Sequence, residues 1–419
     1  MRFAVMDAAR VAARGPFHPL MKIAYINADP GIPVFGTRGC SVHVQEVLLA
    51  MLKRGDEVHL FTTRIGDEAP SDVAALQIHP LPRLRPLDPA ASEQAALDMN
   101  KVLHHALATE ADQGAFDLIY ERYSLWSCAG MQFACERGVR AVLEVNAPLI
   151  EEESSNRTLL NRGAAEEVAM RAFRCATVIV AVSRQLAHII EQHPSARGKV
   201  HVVPNAVNPE RFAGTVPSLP QPGAFVIGFL GSLKSWNGLT TLVDGFTMVV
   251  QQSTTARLLI VGDGPEREGL DREIAGRGLL GRVHLTGAVS PELVPGLLAS
   301  MDVAVAPYPQ LANLYLSPLK LYEYMAAGLP IVSSRIGQME EVIEDGVTGL
   351  LVPPGDAGAL ARTLCALEKD AGVRARLGQA ARDAVREHTW DDIVAYVISL
   401  TGAGVPAHVP QLPDSLLLP

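Results

Sequence analysis

Three short segments carry the residue types and spacings best suited to chemistry. The first is YLSPLKLYEYMAAGLPIV, residues 315–332. Ser317 is a favoured N-cap and Pro318 a favoured first helical residue, so the pattern predicts a helix from there to about Ala327, stopped by Gly328. Ser317, Pro318 and Leu319 then open that helix, whose free N–H groups and positive dipole end suit an anion such as a diphosphate. Lys320 and Glu323 are i,i+3 neighbours on that helix, one able to meet phosphate and the other to accept from two vicinal ribose hydroxyls. A plain surface ion pair has the same spacing.

The second segment is FLGSLKSWNG, residues 229–238. Gly231 and Ser232 directly follow a strand pattern, where a missing side chain lets backbone approach a ligand, and Lys234 and Asn237 lie in the turn before the next helix. A lysine at that crest can neutralise a departing diphosphate; a solvated loop lysine is the alternative. Trp236 reads equally as a lid or as a loop anchor. The third segment, VFGTRGCSVHVQEV, places Gly36, Thr37, Arg38 and Gly39 in a mobile loop before a helix expected to begin about Ser41. Arg38 there can meet phosphate, an acceptor or solvent, and His43 reads as a packed or capping histidine rather than a base. GDGPE, after Val261, is expected to tighten a turn.

The elements that must position these residues follow from hydrophobic period. From Met21 onward short aliphatic runs alternate with longer amphipathic stretches, the signature of βαβ units around parallel sheets. One series has strands near 22–27, 57–62, 76–80, 117–122, 141–145 and 177–182; a second has strands near 225–230, 257–261, 283–286, 303–306, 331–333 and 350–352. The expected organisation is an extension at 1–20, a Rossmann-like domain at 21–213 and a linker at 214–223, GTVPSLPQPG. A second Rossmann-like domain follows at 224–387, then a helix at 388–401 and a disordered tail at 402–419, which carries four prolines. Doubly wound sheets bind ligands outside the carboxyl ends of their strands, so two facing sheets put the crevice between the domains.

Composition narrows the function classes. Hydrophobic residues make 48% of the 419 and charged ones 19%, and the net charge is -9, so the chain lacks the basic footprint that nucleic acid needs. Five scattered cysteines with no CxxC suggest neither a disulfide framework nor a zinc site, which points to the cytoplasm. No apolar run reaches the roughly 18–20 residues that span a bilayer, so at most peripheral membrane contact is expected.

In seven places, in order, the chain resembles glycosyltransferase family 4, the retaining transferases of the GT-B fold. These are GTRG before the first helix, PNAVNPERF, GDGPE, GAV after a strand, EYMAAGLPIV, DGVTGLLVPPGD and HTWDDI. The resemblance implies two Rossmann-like domains across a cleft, a UDP- or GDP-linked sugar held by the second, a hydroxyl acceptor on the first side and no metal or other cofactor. No DxD is present; the nearest sequence, Asp271-Arg272-Glu273, falls in a helical pattern. The resemblance also implies that the loop of Gly287, Ala288 and Val289 reads the base, that Glu323 anchors the donor, and that 390–400 crosses back to the first domain. Three positions depart from the family's pattern: its first glutamate falls at Tyr315, its phosphate-binding arginine at Ser232 and its lysine at Asn237. Lys234, with Lys320, must then meet the diphosphate. A sugar-nucleotide epimerase of the same fold and a subunit that binds sugar nucleotide without turnover are the rival readings.

Overall fold

The computed structural model describes residues 20–83, 88–155, 159–311 and 314–402. The extension and tail foreseen at the two ends therefore fall almost wholly outside the described residues. Among the described residues thirteen strands form two wholly parallel sheets. The first has the order β3-β2-β1-β4-β5-β6-β7, from β1 (Lys22–Asn27), β2 (Glu57–Thr62), β3 (Gln77–Pro80), β4 (Leu118–Arg122), β5 (Arg140–Val145), β6 (Val178–Ala181) and β7 (Val200–Val202). The second has the order β10-β9-β8-β11-β12-β13, from β8 (Phe225–Leu230), β9 (Ala256–Val261), β10 (Val283–Leu285), β11 (Val303–Ala306), β12 (Ile331–Ser334) and β13 (Leu350–Val352). This is the two-domain α/β arrangement that the alternating pattern implies. The strand β7 is an addition to it.

Each sheet is buried on both faces, which is why its strands read as nearly continuous apolar runs. Along β1, Ile23 and Tyr25 enter one core while Ala24 and Ile26 enter the other. Phe225, Ile227 and Phe229 of β8 likewise face one core and Val226 and Leu230 the second. The linker residues Ser218 and Leu219 bond to Gly296 O and Ser300 Oγ, at 2.9 and 3.0 Å, so this stretch lies on the second domain. The last helix, Trp390–Leu400, returns to the first domain, where Trp390, Val394 and Val397 join the core of Val44, Val47 and Met51. No helix among the described residues is long and apolar enough to cross a membrane.

Candidate active site at the switch points of the two sheets

In the second sheet the chain winds outward from β8 through β9 to β10, and then from β11 through β12 to β13. The crevice beyond β8 and β11 is thus a topological switch point, where loops leave in opposite directions and open room for a ligand. The loop at 231–238 leaves β8 there, and the helix Leu319–Ala327 begins in the segment after β11.

The loop after β8 is held from behind. Gly231 and Gly262 both have positive φ, 144° and 135°, and a Cβ on Gly262 would lie 2.1 Å from Gly231 O. Leu233 N–H donates to Asp263 O and Glu266 N–H to Leu233 O, each at 3.0 Å. GDGPE is therefore a buttress for the lysine loop. Asn237 is buried and works inside it, donating from Nδ2 to Ser232 O at 2.8 Å and accepting from Lys320 Nζ at 3.0 Å. Lys234 is half-buried, with its ammonium 4.4 Å from the Trp236 ring centre and no carboxylate in ion-pair contact among the described residues. Trp236 covers that lysine while staying 43% exposed.

The helix differs from expectation at its start. It runs Leu319–Ala327 with Pro318 at the cap position and no side-chain cap, and Gly328 ends it in the left-handed conformation at φ 71°. Ser317 does not cap it, because its hydroxyl oxygen accepts Asn205 N–H at 3.0 Å and its carbonyl accepts Asn205 Nδ2 at 2.7 Å. A partner 112 residues away has outcompeted the local turn.

Lys320 is buried rather than paired at the surface. Its ammonium lies 4.2 Å from the Phe229 ring and 5.4 Å from that of Tyr308, directly under Gly231, where an added Cβ would come within 2.9 Å of it. Burial pulls its pKa down to about 7, against the attraction of Glu323. Burial in turn pushes the Glu323 carboxyl up to about 7, opposed by Arg211 and reinforced by Glu46. Arg211 joins both halves of the molecule, donating to Glu46 Oε1 at 2.8 Å and to Pro291 O at 3.0 Å.

Across the crevice the first helix begins at Gly39, earlier than Ser41, and its loop is tied down rather than mobile. Ser41 Oγ donates to Pro33 O at 2.6 Å, and Gln45 Nε2 to Val34 O, Gly36 O and Ser41 O at 2.9, 3.0 and 3.2 Å. Three carbonyls converging on one amide explain why that loop does not need helix to fix it. Gly39 brings this terminus against the donor-side helix, since a Cβ there would lie 3.5 Å from Leu319 Cδ1. Arg38 is exposed. Ala288 and Val289 follow Gly287, whose carbonyl accepts Gly262 N–H at 3.1 Å, so they flank the same loop pair.

Two contacts across the crevice were not legible as site residues. Asn205, within PNAVNPERF, links Ser317 to His43 Nδ1, 2.9 Å from its Oδ1, and His43 Nε2 lies 2.7 Å from Glu144 Oε1. Burial would raise the Glu144 carboxyl, but His43, Arg122 and the Tyr120 hydroxyl hold it far below the usual range. Tyr315, at the position of the family's first glutamate, donates its hydroxyl to Glu152 of the other domain, and Ser183 Oγ donates to Tyr315 O. The only signals in sequence were the PNAVNPERF motif and the tyrosine itself.

The one His/Glu group among the described residues with metal-ligand spacing is His59, His79 and Glu110. It sits toward the opposite ends of the strands, where Lys22 Nζ already donates to Glu110 at 3.1 Å. An ion there would not reach the crevice.

Comparisons with known proteins agree with the fold. Residues 37–211 match the family model "Glycosyltransferase Family 4" and residues 224–370 match "Glycosyl transferases group 1". The chain is 33% identical to a phosphatidyl-myo-inositol mannosyltransferase of Mycobacterium leprae over 47% of this chain and 51% of that protein. It thus spans about half the length of that relative. It is 26% identical to a D-inositol 3-phosphate glycosyltransferase of Xylanimonas cellulosilytica over 92% of this chain and 96% of that one. Among solved structures it superposes on Anabaena Alr3699/HepE in complex with UDP with a TM-score of 0.68, at 19% identity, over 92% of this chain and 100% of that chain.

Proposed function

We propose that this chain, which belongs to the family 4 glycosyltransferases of the GT-B fold, moves a hexose from a nucleotide-diphosphate sugar to a hydroxyl with retention and without a metal. The observation that carries the reading is the convergence of the Lys234 loop, buried Lys320, Glu323 and the Leu319 helix terminus at one switch point. Glu323 accepts from the ribose hydroxyls, the helix terminus and Lys320 face the diphosphate, and Lys234 meets the charge that grows as the diphosphate leaves. The anomeric C–O bond to phosphate breaks, the bond to the acceptor oxygen forms on the same face, and the acceptor's proton passes to the leaving phosphate oxygen. UDP is the favoured nucleotide, because the HepE structure holds it in the same fold.

The acceptor side is the first domain, and the cytoplasm, with at most peripheral membrane contact, is the proposed compartment. Tyr315 in place of the family's glutamate favours a second reading, a subunit that binds sugar nucleotide without turnover. One experiment tests both. Purified protein is screened by thermal shift against UDP-, GDP- and ADP-sugars with EDTA present, since a ligand bound only by the native state raises its apparent stability. A raised midpoint followed by release of free nucleotide with an acceptor is expected. Stabilisation with no release over many acceptors supports the second reading, and restoration of turnover only by magnesium or manganese contradicts metal independence.

A further inference from the structure

A cavity of about 610 Å³ opens beyond the carboxyl ends of β1, β2 and β3, beside the donor crevice. Its walls are the loop at 36–38, the segment 62–67 after β2, and Pro80, Leu81 and Arg83 after β3. The frame is rigid. Val34 N–H donates to Arg64 O at 3.0 Å, Phe35 N–H to Ile65 O at 2.8 Å and Asp67 N–H to Phe35 O at 2.7 Å, so these segments prolong the β1/β2 pairing past the strand ends. Gly66 permits the approach: its φ is 98°, and a Cβ would come within 2.4 Å of Phe35 O.

Among the described residues three arginines line this cavity, and Asp67 is the one acid on its walls. Arg38, Arg64 and Arg83 are all exposed, and among the described residues none makes an ion pair with a carboxylate; Arg64 donates only to Pro30 O, at 3.2 Å. In a chain of net charge -9 such a set of uncommitted guanidiniums is a local exception. Guanidinium forks match phosphate oxygens bidentately and stay charged at any working pH. Arg38 borders both the cavity and, through Gly39, the Leu319 helix terminus, whereas Arg64 and Arg83 face the cavity from the far walls.

We propose that this cavity reads a phosphate monoester or diester carried by the acceptor, with Arg64 and Arg83 holding the phosphate while the acceptor hydroxyl lies toward the donor crevice. The inference rests on the transferase reading for the word acceptor, but the anion site stands or falls by itself. The full chain is first saturated with UDP, so that the donor site cannot take a second anion. Inorganic phosphate, inositol 1-phosphate and inositol are then titrated calorimetrically into wild type and into the Arg64→Gln/Arg83→Gln variant, and vesicles with and without phosphatidylinositol are tested by co-sedimentation.

Wild type is expected to bind the two phosphates and not inositol, and the double variant to lose at least tenfold in affinity for both, with UDP affinity and melting temperature unchanged. A preference for inositol 1-phosphate assigns a soluble acceptor, and tighter binding to phosphatidylinositol vesicles than to inositol 1-phosphate, lost in the double variant, assigns a lipid headgroup; either supports the site. Equal phosphate affinity in variant and wild type, or equal affinity for inositol and its phosphate, overturns it. Failure of UDP to bind, with phosphate still bound through the arginines, would count against the transferase reading alone.

Discussion

The two sides of the crevice handle positive charge in opposite ways. On the donor side Lys320 is buried, bonded to Asn237 and enclosed by Phe229 and Tyr308, and burial pulls it down to about 7. On the other side Arg38, Arg64 and Arg83 stand exposed around a cavity with no carboxylate partner among the described residues. Constant exposed charge attracts and selects a ligand but is screened by salt. A buried lysine near neutrality is a charge that the ligand itself raises, in a site where fixed groups are worth more than in water. The difference separates a side built for capture from one built for chemistry, and each variant below tests one half of that statement.

The largest effect is expected at Lys234. Its ammonium rests on Trp236 with no carboxylate in ion-pair contact among the described residues, so its strongest partner is the charge that develops on the leaving diphosphate. Lys234→Ala should lower turnover by about 100- to 1,000-fold, the usual cost of one preorganised donor, while donor affinity changes far less. Lys234→Arg should recover part of the rate, since the charge stays but the geometry differs. Steady-state kinetics beside a donor titration check this. Near wild-type turnover in the alanine variant would reduce Lys234 to a partner for Trp236, and the donor side would no longer differ in kind from the cavity.

The sheets were legible in sequence because their strands are long enough to show apolar runs, and the expected bounds hold within one residue at each end. Only Val200–Val202 escaped, although Val283–Leu285 and Leu350–Val352, equally short, were found. Helix chemistry was less legible. Ser317 has every local mark of an N-cap, yet Asn205 takes its oxygen, a competition that propensity cannot show. Lys320 and Glu323 were found from spacing, but the rings of Phe229 and Tyr308 that enclose Lys320, and the Arg211 charge that acts on Glu323, reach them only through tertiary packing. Arg64 and Arg83 were invisible for the same reason: they meet Arg38 because β1, β2 and β3 are neighbours, not because of any interval along the chain.

A middle-sized effect is expected at Asn205, which fastens the donor side to the other domain. Its side chain donates to Ser317 O and its Oδ1 faces His43 Nδ1, so Asn205→Ala leaves two buried polar groups without that partner. Each such loss costs about 1–3 kcal/mol. Calorimetry should show a melting midpoint lower by several degrees, with donor affinity reduced because the Leu319 helix terminus is less firmly placed. An unchanged midpoint would mean that the domains do not rely on this link.

The smallest effect is a matter of protons, and it bears most directly on the contrast between the two sides. Lys320, lowered by burial to about 7, is mostly neutral in the free enzyme at pH 8. A bound diphosphate favours its charged form and raises that pKa, so donor binding at pH 8 should take up close to one proton. Glu323, raised by burial to about 7, is only about a tenth protonated at pH 8 and adds little there. At pH 6 the order reverses, because Lys320 is already charged while Glu323 still holds a proton that ribose hydroxyls, by bonding to its carboxylate, drive off. Net exchange should therefore change sign, from uptake at pH 8 to release at pH 6, and donor affinity should fall as pH rises above 7. Calorimetric titration in two buffers of different ionisation enthalpy measures both. Lys320→Met should abolish the uptake and keep the release, and Glu323→Gln should do the reverse, whereas Arg64→Gln should alter neither. No uptake at pH 8 in the wild type would mean that the ammonium under Gly231 never meets the donor, and Lys234 would be left as the cation that does.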